Sequence, residues 1–165
     1  MKRRNRKSDC PVHFALEVFG DACTLLIIRD LMFKGRTTYT DFLRAEEGIA
    51  TNVLADRLAR LEENGVLGRE ARSGRGSGSA YRLTSKGVDL LPIMLEIIGW
   101  SAKYDSKTAA DRRFVRRLHR DRAGLDAEIR AALVAHTPST GAVSAARAPT
   151  RRSSVRKPNP KEESS

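Results

Sequence analysis

Six side chains near the middle of the chain carry the chemistry of nucleic-acid recognition. Asn52, Arg57 and Arg60 lie in one run, and Arg72, Arg75 and Arg82 in the next. Asn can pair bidentately with adenine and Arg with guanine, and Arg also grips phosphate. Their spacing matters as much as their type. At about 100° per residue, Asn52, Asp56, Ala59, Arg60 and Glu63 point away from a stripe of Leu54, Leu58 and Leu61, with Val53 and Arg57 on its flank. A second chemistry is thiol chemistry. Cys10 stands directly before Pro11 and just after basic residues at 2, 3, 4, 6 and 7. A helix N-terminus with cations nearby is the setting in which cysteines become reactive.

The elements that must position these groups follow from the same residues. Thr51 can cap a helix that Asn64-Gly65 ends. On its own this helix is better explained as an ordinary amphipathic helix with a solvated face. The next segment changes that. Val66-Leu67 and Ala80-Tyr81-Arg82-Leu83 read as short strands around a Gly/Ser loop that carries Arg72 and Arg75. An Arg-tipped hairpin directly after an Asn- and Arg-faced helix is more easily explained by phosphate or minor-groove contact than as a plain solvent-exposed hairpin. Upstream, Pro11 suits a first helical position and Asp21 can cap a second helix running through Leu31. Thr40 can cap a short third helix, which makes a helix-turn-helix pair with the one at 51–64. Arg36, Thr38 and Thr40 read equally as phosphate contacts or as a solvated loop. The expected fold is mainly α with a small β-hairpin wing (α+β), a dimeric winged helix-turn-helix whose DNA-binding set also includes Thr51, Asn52 and Asp56.

The chain resembles the HxlR-type winged helix-turn-helix transcriptional regulators. The matching pieces are Cys10-Pro11, Gly20, the run Thr24 to Leu31, Tyr39-Thr40-Asp41-Phe42, Gly48-Ile49, and Val53-Leu54 with Leu58, Leu61-Glu62 and Gly65. Tyr81, Leu83-Thr84, Gly87 and Leu90-Leu91-Pro92 complete the order, which covers roughly residues 10–104. The resemblance implies a bacterial homodimer that binds operator DNA as a repressor or activator. It also implies that Cys10, at the position of the family's Cys-Pro pair, can sense oxidants or electrophiles; the competing reading is an inert cap cysteine. Two departures stand out. Cys23 stands where the family usually has Trp, and the wing is rich in Gly where relatives often carry Pro and acidic residues.

The charge is uneven. The chain has 165 residues and a net charge of +11, but residues 1–9 carry +4, residues 10–104 are neutral, and residues 105–165 carry +7. The DNA-reading domain is thus balanced, and the excess lies in extensions that add non-specific affinity. The expected divisions are a basic arm at 1–9, the winged-helix and dimerisation domain at 10–104, an Arg-rich helical extension at 105–136 and a disordered basic tail at 137–165. Residues 85–104 read as one long helix kinked at Pro92, with more apolar surface than a small monomer needs. Leu91, Met94, Leu95, Ile98 and Trp100 are its expected homodimer contacts; the alternative is a helix buried wholly within one subunit. In the extension, Arg112, Arg113, Arg116, Arg117, Arg120 and Arg122 either present charge to DNA or merely solvate a dimerisation helix, with Gly124 expected to break the helix in two.

Other functions find little support. Cys10, His13 and Cys23 are three soft ligands without the second paired half of a zinc module, so no metal is expected. No phosphate loop, nucleophile elbow or acid–base pair is present, so no enzyme and no cofactor is expected. Neither a signal peptide nor a membrane-spanning stretch is apparent, and a cytoplasmic, nucleoid-associated location follows. The expected partners are double-stranded DNA, a second copy of the chain and a small oxidant or electrophile. The alternative is an architectural protein that binds DNA without sequence choice through its basic arms.

Overall fold

Pro11 opens α1 (Pro11–Phe19) in the first turn, where its missing N–H costs nothing. In this computed structural model, residues 8–71 and 79–135 are described. The expected basic arm up to residue 7, the wing tip with Arg72 and Arg75, and the expected tail from 137 onward lie outside the described residues. Asp21 caps α2 (Ala22–Phe33), its carboxylate accepting the Thr24 N–H at 3.0 Å. Ile27, Ile28, Leu31 and Met32 on this helix are buried.

The next two helices begin differently from expectation. The cap of α3 (Tyr39–Leu43) is Thr38, not Thr40. Thr38 Oγ accepts the Asp41 N–H at 3.2 Å and the Asp41 carboxylate accepts the Thr38 N–H at 2.9 Å. The reason is spacing: an acid three residues on completes a capping box for Thr38, whereas Thr40 has Leu43 at that place. The longer helix α4 (Thr51–Glu63) starts after Ala50, with no side-chain cap, so Thr51 is its first residue rather than its cap. Its start is held instead by the Tyr39 hydroxyl, which donates to the Thr51 carbonyl at 2.9 Å and ties α3 to α4. Gly65, at φ +67°, turns the chain out of α4 in a left-handed conformation that other residues adopt only under strain.

The hairpin pairs β1 (Leu67–Ala71) with β2 (Ser79–Leu83), antiparallel, from Leu67 opposite Leu83 to Ala71 opposite Ser79. Thr38 makes a further bridge to Ala80, and the Tyr81 N–H donates to the Thr37 carbonyl at 2.7 Å. The hairpin is thereby fastened to the start of α3. The single long helix expected at 85–104 is instead two, α5 (Ser85–Val88) and α6 (Leu91–Tyr104). Pro92 lies in the first turn of α6, so it begins a helix rather than kinking one. There its missing N–H is one that would have no partner within the helix, so no hydrogen bond is lost. A Cβ on Gly87 would collide with the Val66 carbonyl oxygen, so α5 packs close to the hairpin only because that residue is glycine.

The extension forms α7 (Arg112–Arg120) and α8 (Arg122–Ala135). The break falls at Asp121, not at Gly124, because the Asp121 carboxylate accepts the Gly124 N–H at 3.0 Å and starts α8 there. Leu118 and Leu125 join the same buried cluster as Ile27, Ile28, Phe42, Leu54, Leu58, Leu61, Leu91 and Leu95. The hairpin of α7 and α8 is therefore packed onto the winged-helix core. Among the described residues no single helix is long and apolar enough to cross a membrane.

Candidate nucleic-acid interface

The back of α4 is fixed and its front is open. Leu54, Leu58 and Leu61 are fully buried, while Thr51, Asn52, Ala55, Asp56, Ala59, Arg60 and Glu63 are exposed. Burying three leucines contributes several kcal/mol, at about 1.5–3 kcal/mol each. The helix is thus a rigid support for whatever its outer face meets. The side chains of Asn52 and Arg60 make no hydrogen bond or ion pair among the described residues, so their donors and acceptors are available. Thr40 is exposed on the preceding helix.

Arg57 is placed differently. Its Nε lies 3.0 Å from an Asp21 carboxylate oxygen, and its guanidinium also pairs with Asp56 on the same helix. Asp21 simultaneously caps α2, so Arg57 locks α4 to the start of α2. Burial alone would raise the Asp21 carboxyl, but the Thr24 hydroxyl and amide and the Arg57 charge outweigh it and hold it below its ordinary value. Arg36 is likewise engaged. It reaches the buried carboxylate of Asp30 at 2.9 Å and Glu46 at 3.4 Å. Arg29 binds the same Asp30 and also pairs with Glu47. Asp30 is 2 % exposed, and its two arginine partners satisfy a charge that would otherwise be costly to bury. This cluster clamps the segment before α4, through Glu46 and Glu47, to α2. The Arg29 hydrogen bond holds the Glu47 carboxyl down to about 2, well below its ordinary 4.5.

In the hairpin, Arg82 pairs with Glu70 across the strands and is half-buried. Arg69 lies 2.9 Å from Glu62 on α4, donates to the Tyr81 hydroxyl at 3.0 Å and stacks over the Tyr81 ring. Hairpin and α4 are therefore oriented as one unit. Sequence reasoning missed three residues here. Tyr39 and Arg69 fix the geometry, and Arg44, exposed at the end of α3, makes no pair among the described residues. No pattern in the chain marks Arg44; the pairing of Arg69 with Glu62 becomes visible only once the strand follows the helix.

The candidate dimer face moves. Leu91, Met94 and Leu95, read from the sequence as partner contacts, are buried in this chain's own core cluster, on a helix that packs against α7 and α8. Ile98 is half-buried. Trp100 is 66 % exposed, and Ile93, Ile97 and Tyr104 continue its side of the helix. Val12 and Leu16 on α1 are exposed to a similar degree. Cys10 is exposed at the cap position of α1, whereas Cys23 is half-buried against the core. His13 pairs with Glu17 on the same helix at 3.2 Å. Among the described residues no group of three His, Cys, Asp or Glu could hold a metal ion.

A helix-turn-helix pair followed by a two-stranded hairpin on the same core defines the winged-helix class of DNA-binding proteins. The chain belongs to the HxlR-like helix-turn-helix family, whose model matches residues 18–109. Members of this family are DNA-binding transcriptional regulators, not enzymes. The chain is 28 % identical over 86 residues to the uncharacterized HTH-type transcriptional regulator sll1512 of Synechocystis sp.. That match covers 52 % of this chain and 63 % of the relative. Among solved structures it is similar to PA1607, named as a candidate transcription factor, at 37 % identity and a TM-score of 0.56, covering 64 % of this chain and 72 % of that one. It is also similar to the redox regulator HypR in its oxidized form, at 29 % identity and a TM-score of 0.54, covering 59 % of this chain and 99 % of that one.

Proposed function

We propose that the chain is a sequence-specific regulator that acts as a homodimer on operator DNA. Two copies of α4 enter successive major grooves about one helical turn apart. Asn52 and Arg60 read base edges, while Thr40, Arg44 and the arginines of the hairpin meet the backbone. The observation that carries this reading is the pairing of a fully buried helix back with exposed Asn52 and Arg60 that have no partner among the described residues. The dimer forms through the exposed stripe of Ile93, Ile97, Trp100 and Tyr104 on α6, apolar surface that water disfavours. Nuclease footprinting on DNA from upstream of the protein's own gene tests this. Two protected half-sites about one turn apart are expected; uniform weak protection along the duplex would point to the architectural alternative.

A thiol switch on the same regulator is favoured by two observations. Cys10 is exposed at the cap of α1, and a similar solved structure is that of a redox regulator in its oxidized form. Mild oxidation should then change DNA binding by the wild type and leave Cys10→Ser unaffected. A response that survives in the variant would remove Cys10 from the account.

A further inference from the structure

The arginines of α7 and α8 divide sharply by partner. Arg117 pairs with Glu128, Arg122 with Glu96, and Arg130 with Asp89 at 3.0 Å and Asp126 at 2.7 Å, and across elements these pairs join α7 to α8, and α8 to α6 and to the end of α5. Arg112, Arg113, Arg116 and Arg120 are all exposed and make no ion pair among the described residues. At about 100° per residue these four fall within one arc of roughly 100°, opposite the side on which Phe114 and Leu118 pack. Phe114 meets Phe33 edge-on, with ring centroids 6.2 Å apart, and this fixes which way the arginine side looks. The two acids that flank this helix serve as caps: Asp111 accepts the Phe114 N–H at 2.8 Å and Asp121 accepts the Gly124 N–H.

This stripe works against the helix that carries it. Arg112, Arg116 and Arg120 are successive like charges four residues apart, and each such pair destabilises a helix by a few tenths of a kcal/mol. Arg112 and Arg113 sit in the first turn, where the helix dipole disfavours cations. A solvated face needing only solubility would interleave acids, as α8 does with Asp126 and Glu128. A row of phosphates reverses both penalties at once. We infer that this face of α7 is a second DNA-backbone contact, outside α4 and the hairpin and beyond the region matched by the family model, that grips duplex DNA without reading sequence. The inference rests on the proposed DNA-binding function.

The test compares the full-length wild type with a variant carrying Arg112→Gln, Arg113→Gln, Arg116→Gln and Arg120→Gln, and with the corresponding four-Lys variant. The probe is a random-sequence duplex of about 40 base pairs, several times the spacing between two half-sites. Binding is followed by anisotropy across a salt series. The Gln variant should lose at least about tenfold in affinity, with a salt slope shallower by about 3 per protomer, and the Lys variant should restore the slope. Its melting temperature should be unchanged or higher, which separates lost contacts from lost structure. An unchanged affinity and slope in the Gln variant overturns the stripe and leaves the proposed function standing. Absence of binding by the wild type on this duplex and on its own upstream DNA overturns both.

Discussion

Arg57 Nε stands 3.0 Å from the Asp21 carboxylate that caps α2, so the flank of α4 is tied to the N-terminus of another helix. A residue whose position on the helix matches base reading is here spent on orientation. Arg57→Ala should therefore lower stability by about 1 kcal/mol, the scale of a partly exposed ion pair. It should weaken binding to operator and random DNA by similar factors, because α4 loses its alignment rather than a base contact. Thermal melting read beside anisotropy on both duplexes checks this; a selective loss on the operator would return Arg57 to the reading set.

Asn52 and Arg60 should behave in the opposite way. Both are exposed and lack partners among the described residues, so replacing either with Ala leaves the melting temperature within about a degree, as for most surface substitutions. On the operator each should cost about 1–3 kcal/mol, roughly five- to 150-fold in affinity. On scrambled duplex the loss should be several times smaller. Equal losses on both duplexes would mean that the two residues meet only phosphate.

The clamp before α4 has a pH signature. The Glu47 carboxyl, hydrogen-bonded by Arg29, titrates at about 2 in the folded chain against an ordinary 4.5. A depressed folded value stabilises the fold above the unfolded value and ceases to do so as the group protonates. The contribution is complete above 4.5 and is lost as pH falls from there toward 2. Melting temperatures of wild type and Glu47→Gln should differ at neutral pH and converge over that interval. Curves that stay parallel to the acid end would show that Glu47 is unpaired in solution.

Trp100 and Ile97 bear on oligomeric state. Both are exposed on α6 while Leu91 and Leu95 on the same helix are fully buried. Ile97→Glu with Trp100→Ala should yield a folded monomer by sedimentation and reduce operator binding far more than fold stability. A variant that remains dimeric would move the interface to another face.

Much of this architecture was legible in the chain because periodicity and punctuation agree there. The leucines of α4 repeat at helical spacing, Asn64-Gly65 ends the helix, and the two short strands bracket a Gly/Ser loop. What escaped depended on contacts between elements. The cap of α3 at Thr38 turned on an acid three residues downstream, and the tie between α3 and α4 on a tyrosine hydroxyl from the neighbouring helix. Leu91, Met94 and Leu95 looked like surplus apolar surface only while the core that receives them was unseen. Arg57 and Arg36 carry the same guanidinium as Arg60, and only the folded positions of Asp21 and Asp30 separate structural from available charge.

The most direct test of the central claim is anisotropy of the full-length protein on its own upstream DNA and on a scrambled duplex of equal length, at physiological salt, for wild type and Arg60→Ala. A preference of about a thousandfold or more for the native duplex is expected, within the range of specific regulators, with a large loss of that preference in the variant. Equal binding of the wild type to both duplexes, together with an Arg60→Ala variant that binds no differently, would contradict base reading by α4.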